Sequence, residues 1–83
     1  MTRAEVRQAI LDIIEELVPD EDLSKIDDIE KIRDQIELDS MDFLDIIMEL
    51  RKRYAINVPE DDYPHFITLV GCMNYLEPTL KDR

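Results

Sequence analysis

Leu38-Asp39-Ser40-Met41-Asp42-Phe43-Leu44 is the stretch on which the reading of the chain turns. A serine follows an aspartate where a helix begins, and the helical pattern continues from about Ser40 to Tyr54. Asp39 suits the N-cap, because its carboxylate can accept a hydrogen bond from an otherwise unpaired backbone N–H. Asp42, three residues on, can reach back as a weaker form of the capping-box residue. Ser40 then lies in the first turn with its hydroxyl near solvent. A phosphate attached there would meet free N–H groups and the positive end of the helix dipole.

On a wheel of about 100° per residue with Asp42 at zero, Asp45, Glu49, Lys52 and Arg53 share one face about 100° wide. Phe43, Ile46, Ile47, Leu50 and Tyr54 fill an adjacent arc from about 40° to 140°. Met41, Leu44 and Met48 lie beyond it, between about 200° and 260°. A helix apolar around so much of its girth is expected to be largely enclosed. Its polar face runs from acids to bases, in the sense that complements the helix dipole. Glu49 and Arg53 form a favourable i,i+4 pair.

Upstream, Thr2-x-x-Glu5 is a capping box. Val6, Ala9, Ile10, Ile13, Ile14 and Leu17 follow at helical spacing, with Arg3, Arg7, Asp12, Glu15 and Glu16 on the outer side. Pro19 ends this helix within a residue or two. Residues 20–38 form a long connection. Leu23, Ile26, Ile29, Ile32, Ile36 and Leu38 are expected to pin it to the core, and the spacing of Ile26, Ile29 and Ile32 predicts a short helix within it. Its acids lack the EF-hand spacing and central glycine, so a calcium loop is not indicated.

Downstream, Pro64 lacks an N–H and disfavours helical backbone at Tyr63, so any helix there should be a single turn starting near Pro64. His65, the one histidine, has no second ligand or catalytic partner nearby in sequence and reads as a surface residue. Thr68 is the expected N-cap of a last helix. Leu69, Val70, Met73, Leu76 and Leu80 are its apolar positions, Tyr75 lies near the edge, and Pro78 ends or frays it. Cys72 reads as a small core or boundary residue rather than a reactive thiol.

Eighty-three residues make one small domain, 1–83, with a modest core. One glycine among the 83 residues and several helical stretches point to an all-α fold. No stretch is apolar for long enough to span a bilayer, and the N-terminus lacks a secretory core. A single cysteine excludes an internal disulfide and any multi-cysteine metal site. These features fit the cytoplasm. The net charge is −11, with 21 acids against 10 bases. Such a chain repels nucleic acid and anionic membrane. It favours partners with basic patches, whose encounter the charge would steer.

Asp39-Ser40-Met41 resembles the Asp-Ser-Leu signature of acyl carrier proteins. The resemblance extends over nearly the whole chain. It takes in the amphipathic first helix, the long loop, the Asp-Ser helix, the Ile56-Asn57-Val58-Pro59 turn and the helix after Thr68. It implies a four-helix bundle of three main helices and one short one, with a long first loop. It implies that Ser40 bears 4′-phosphopantetheine, added from coenzyme A by a phosphopantetheinyl transferase, and that the arm's thiol holds acyl groups as thioesters for fatty-acid or related acyl biosynthesis. The Asp-Ser helix and the segment around Pro64 would flank the acyl-chain cavity. Asp39 would help bind the transferase's magnesium ion and orient loading. Asp42, Asp45 and Glu49 would dock basic patches on acyl-chain synthesis or transfer enzymes. On this reading the protein is a monomeric carrier and no enzyme.

The chain departs from the family in three places. Gln35-Ile36-Glu37 stands where Asp-Leu-Gly is common, so the turn into the Asp-Ser helix is expected to differ locally. Met41 replaces the usual leucine, a mild change. Arg51-Lys52-Arg53 replaces acids, which bears on the choice of partner enzymes. Two other readings stay open: an aminoacyl or peptidyl carrier, and an unmodified acidic adaptor. The mass of the loaded arm separates the first, and the absence of any mass increment on Ser40 the second.

Overall fold

The computed structural model describes residues 1–81. It contains helices α1 (Arg3–Leu17), α2 (Ile32–Gln35), α3 (Ser40–Tyr54) and α4 (Leu69–Thr79), with a 3-10 helix at Glu60–Phe66 before α4. The fold is all-α, as expected. α1 packs on α3 and α4, and α4 packs on the 3-10 helix. Val6, Ile10, Ile13 and Ile14 from α1 meet Ile46, Ile47 and Leu50 from α3 and Leu69, Met73, Leu76 and Leu80 from the α4 region in one apolar cluster. Leu11 is also buried, a position outside the predicted stripe.

The helix starts follow from local chemistry. Thr2 and Glu5 complete a reciprocal capping box at α1, which satisfies two orphan donors. Thr68 Oγ1 accepts from Gly71 N at 3.0 Å and opens α4. At the far end of α3, Ala55 adopts a left-handed conformation (φ 56) and its N–H returns to Arg51 O at 3.0 Å. Glycine is the usual residue at such a C-cap.

The long connection is ordered by specific bonds, and its geometry corrects two expectations. Ile29 is 77% exposed rather than anchored. Asp27 Oδ1 accepts from Ile29 N (2.7 Å) and Glu30 N (3.2 Å). This Asx turn reverses the backbone and breaks the helical period that would have buried Ile29. The short helix is therefore displaced and begins at Ile32. The Gln35 side-chain amide ties turn to helix, donating to Asp27 O (2.9 Å) and accepting from Asp27 N (2.6 Å). Ile26, Ile32, Ile36 and Leu38 are buried as expected. Ile32 N donates to Ile67 O and Val70 N to Asp28 O, both at 2.9 Å, so the connection is fastened to the start of α4.

The missing glycine at Glu37 is accounted for by the backbone. Ile36 (φ −138, ψ 160) and Asp39 (φ −94, ψ −179) are extended, a conformation open to any residue. Ala55 is the one non-glycine residue with positive φ among the described residues.

The segment after Pro59 also differs from expectation. The 3-10 helix spans seven residues and contains Pro64 instead of starting there. Proline's fixed φ lies within the 3-10 range. Tertiary contacts hold the rest: Tyr75 Oη donates to Asp62 Oδ2 at 2.7 Å, and this hydrogen bond to a carboxylate favours the protonated phenol and raises the Tyr75 pKa. Tyr63 packs edge-on to Phe43 (5.7 Å), and Phe66 to Tyr75 (5.3 Å). α4 in turn runs one residue beyond Pro78, to Thr79. The i−4 carbonyl that proline leaves unbonded belongs to Asn74, which is exposed and can bond water.

Candidate functional site

The start of α3 is built as its sequence dictates. Asp39 Oδ1 accepts from Asp42 N at 2.8 Å, and Asp42 Oδ2 accepts from Asp39 N at 3.3 Å. The two aspartates thus form a reciprocal capping box in which Asp42 does the work usually given to glutamate. Ser40 is the first residue of the helix and is exposed. The cap occupies Asp39 Oδ1 and leaves Oδ2 as an oxygen a cation could share.

Beside this helix start lies an apolar cleft of about 250 Å³. Phe43 and Ile46 of α3, Tyr63 and Phe66 of the 3-10 helix, and Ile32 and Leu38 of the connection wall it. Leu38 and Phe43 bracket Ser40 in sequence, so the cleft and the serine share one end of the fold. Arg33 also borders the cleft, and its Nε donates to Leu38 O at 3.3 Å. No local pattern singles Arg33 out; a base in an acidic loop is an ordinary solvated charge until the fold brings it into a cleft with Asp39 and Asp42 at the start of α3.

The proposed docking residues stand in three different settings. Asp45 is exposed. Asp42 is half-buried and engaged in the cap. Glu49 is half-buried and paired with Arg53 (3.1 Å) and Lys52 (3.6 Å), while Arg53 also reaches Glu16 of α1. The bases at the end of α3 therefore act partly within the fold. The apolar girth of α3 corrects another expectation: the helix is not enclosed. Met41, Leu44 and Met48 are 72%, 45% and 60% exposed and form a stripe down one side from Ser40. The wheel places these three together; whether another element covers them is decided by the fold, and none among the described residues does.

The exposed serine and the adjoining apolar cleft fit a phosphopantetheine arm carrying an apolar cargo. Residues 4–71 match the family model described as a phosphopantetheine attachment site. An acyl carrier protein of Brachyspira hyodysenteriae is 34% identical over 77 residues, covering 88% of this chain and 99% of that one. Those of Chlorobium luteolum (30% over 77 residues, 92% and 96% covered) and Campylobacter lari (28% over 69 residues, 83% and 87% covered) are also similar. No solved structure gives a significant match. The chain belongs to the acyl carrier protein family, whose prosthetic group is 4′-phosphopantetheine.

Cys72 offers a clean check on that chemistry. It is buried, and burial pushes its thiol up to about 12 from 9.0. The thiolate is the nucleophile, so Cys72 is nearly inert near neutral pH. Folded apoprotein is expected to take up no maleimide at pH 7 until it is unfolded, whereas protein bearing the arm should take up one equivalent quickly. Fast labelling of the folded apoprotein would show that Cys72 is accessible and contradict this.

Proposed function

We propose that the protein carries acyl groups as thioesters on a phosphopantetheine arm attached to Ser40 Oγ, and serves fatty-acid or related acyl biosynthesis without catalysing a step itself. The observation that carries the proposal is the exposed Ser40 at a capped helix start beside an apolar cleft. Asp39 would offer its free carboxylate oxygen to the transferase's magnesium ion. The arm lets one substrate visit several enzymes without release, an advantage of effective concentration. An apolar, partly aromatic cleft favours an acyl chain over an aminoacyl cargo, because a free ammonium group loses hydration there. The mass of the species on the arm in protein isolated from its own cells tests this: a fatty-acyl increment supports it, an aminoacyl increment refutes it. The chain would act as a single-domain, cytoplasmic monomer.

Asp45 is the exposed member of the proposed docking set and lies about 1.5 turns from Ser40. Asp42 and Glu49 contribute to the same field, with Glu49 partly neutralised by its bases. A partner working on the arm would meet this acidic side of α3 and the Met41–Leu44–Met48 stripe together. Rim charges set association rate and orientation more than raw affinity. Asp45→Lys is expected to lower the transferase's kcat/KM by about fivefold, equivalent to about 1 kcal/mol, with a weaker salt dependence than wild type. Asp12→Lys carries the same charge change at an exposed position of α1 and should have little effect. Loading rates at two salt concentrations decide between a docking face and net charge; equal slowing by both variants would rule out the face.

A further inference from the structure

The ion pairs formed among the described residues do not use Arg33, yet it stands where three clefts meet. One is the apolar cleft. The second, about 360 Å³, is shared with Glu37, Leu38, Asp39 and Asp42 at the start of α3. The third is a polar cleft reaching outward toward Glu21 and Lys31. In the second cleft Arg33 is the one cation among the lining residues, against three carboxylates. Its Nε bond to the Leu38 carbonyl directs the guanidinium toward the helix start and leaves the terminal N–H groups available.

A phosphodiester on Ser40 Oγ has to sit in this neighbourhood, one bond from a side chain flanked by Asp39 and Asp42. Those carboxylates repel it, and the cap they form already uses the N–H groups of Asp42 and Asp39. A planar guanidinium with free N–H groups matches the oxygens of a phosphate diester in both charge and geometry. We propose that Arg33 clamps the phosphodiester of the arm, offsets the carboxylates around Ser40, and turns the arm toward the apolar cleft that Arg33 also borders. This inference rests on the carrier reading above.

The test uses full-length protein loaded with the bare arm, whose thiol is free, so that the phosphodiester is the only anion added. Wild type, Arg33→Gln and Arg33→Lys are loaded from coenzyme A and checked by intact mass. In wild type, loading should shift the Arg33 Nε–H resonance and slow its exchange with water severalfold. The 31P resonance of the arm should differ between wild type and Arg33→Gln, with Arg33→Lys between them. Full mass gain with the Arg33 resonance, its exchange and the 31P resonance all unmoved would overturn the clamp alone. So would slower loading of Arg33→Gln with those spectra unmoved, which would assign Arg33 to the transferase contact instead. No mass gain in wild type would remove the carrier reading and the clamp together.

Discussion

Ser40→Ala is expected to abolish loading completely while leaving the fold intact. Incubated with transferase, magnesium and coenzyme A, wild type should gain the mass of one phosphopantetheine and the variant none. Both halves of this expectation follow from position. Ser40 is exposed in the first turn, and the cap belongs to Asp39, so losing the hydroxyl should change stability by no more than about 0.5 kcal/mol. Asp39→Ala differs in kind: it removes the cap, at about 1 kcal/mol, and would slow loading as well. Ser24 is the natural control. Its hydroxyl donates to Asp22 Oδ1 at 2.7 Å, within a turn that also binds its N–H. Modification found at Ser24 would relocate the attachment site, and an unchanged wild-type mass across several transferases would sink the carrier reading.

What was legible in the sequence was what neighbouring residues decide among themselves. The Asp39–Asp42 cap, the Thr2–Glu5 box and Thr68 fix three helix starts within a few residues of chain, and periodicity identifies most of the α1 and α4 core. At Ile29 a side-chain-capped turn overrides the period and leaves the residue exposed. The 3-10 helix exceeds the single turn expected because Tyr75 and Phe43, distant in sequence, hold a segment that its proline alone would discourage. The wheel groups Met41, Leu44 and Met48, but burial needs a second element to pack against, and among the described residues no helix covers them. Arg33 carries no local signal for the same reason: its meaning comes from the cleft it shares with Asp39, which exists only once the connection folds back.

Gly71→Ala sets local propensity against packing, and packing is expected to win. Gly71 lies in the first turn of α4 with its N–H bonded to Thr68 Oγ1. Helix propensity alone favours alanine there by about 1 kcal/mol. An added Cβ, however, would stand 2.2 Å from the carbonyl oxygen of His65 and 3.2 Å from its carbon. Those are backbone atoms at the end of the 3-10 helix, so no side-chain rotation relieves the contact. Overpacking of this kind costs about 1–3 kcal/mol or more, and relief requires moving the strand of chain that carries Pro64 and Phe66, which line the apolar cleft. A net loss of about 1–2 kcal/mol is expected, lowering Tm by about 5–15 °C in a domain of this size. Asn74→Ala, on the exposed side of the same helix, should be neutral or slightly stabilising and reports propensity without the contact. Thermal unfolding of the two variants beside wild type measures the difference. A Gly71→Ala protein as stable as Asn74→Ala would mean that the 3-10 helix yields at no cost, and the packing penalty assigned to the added Cβ would have to be abandoned.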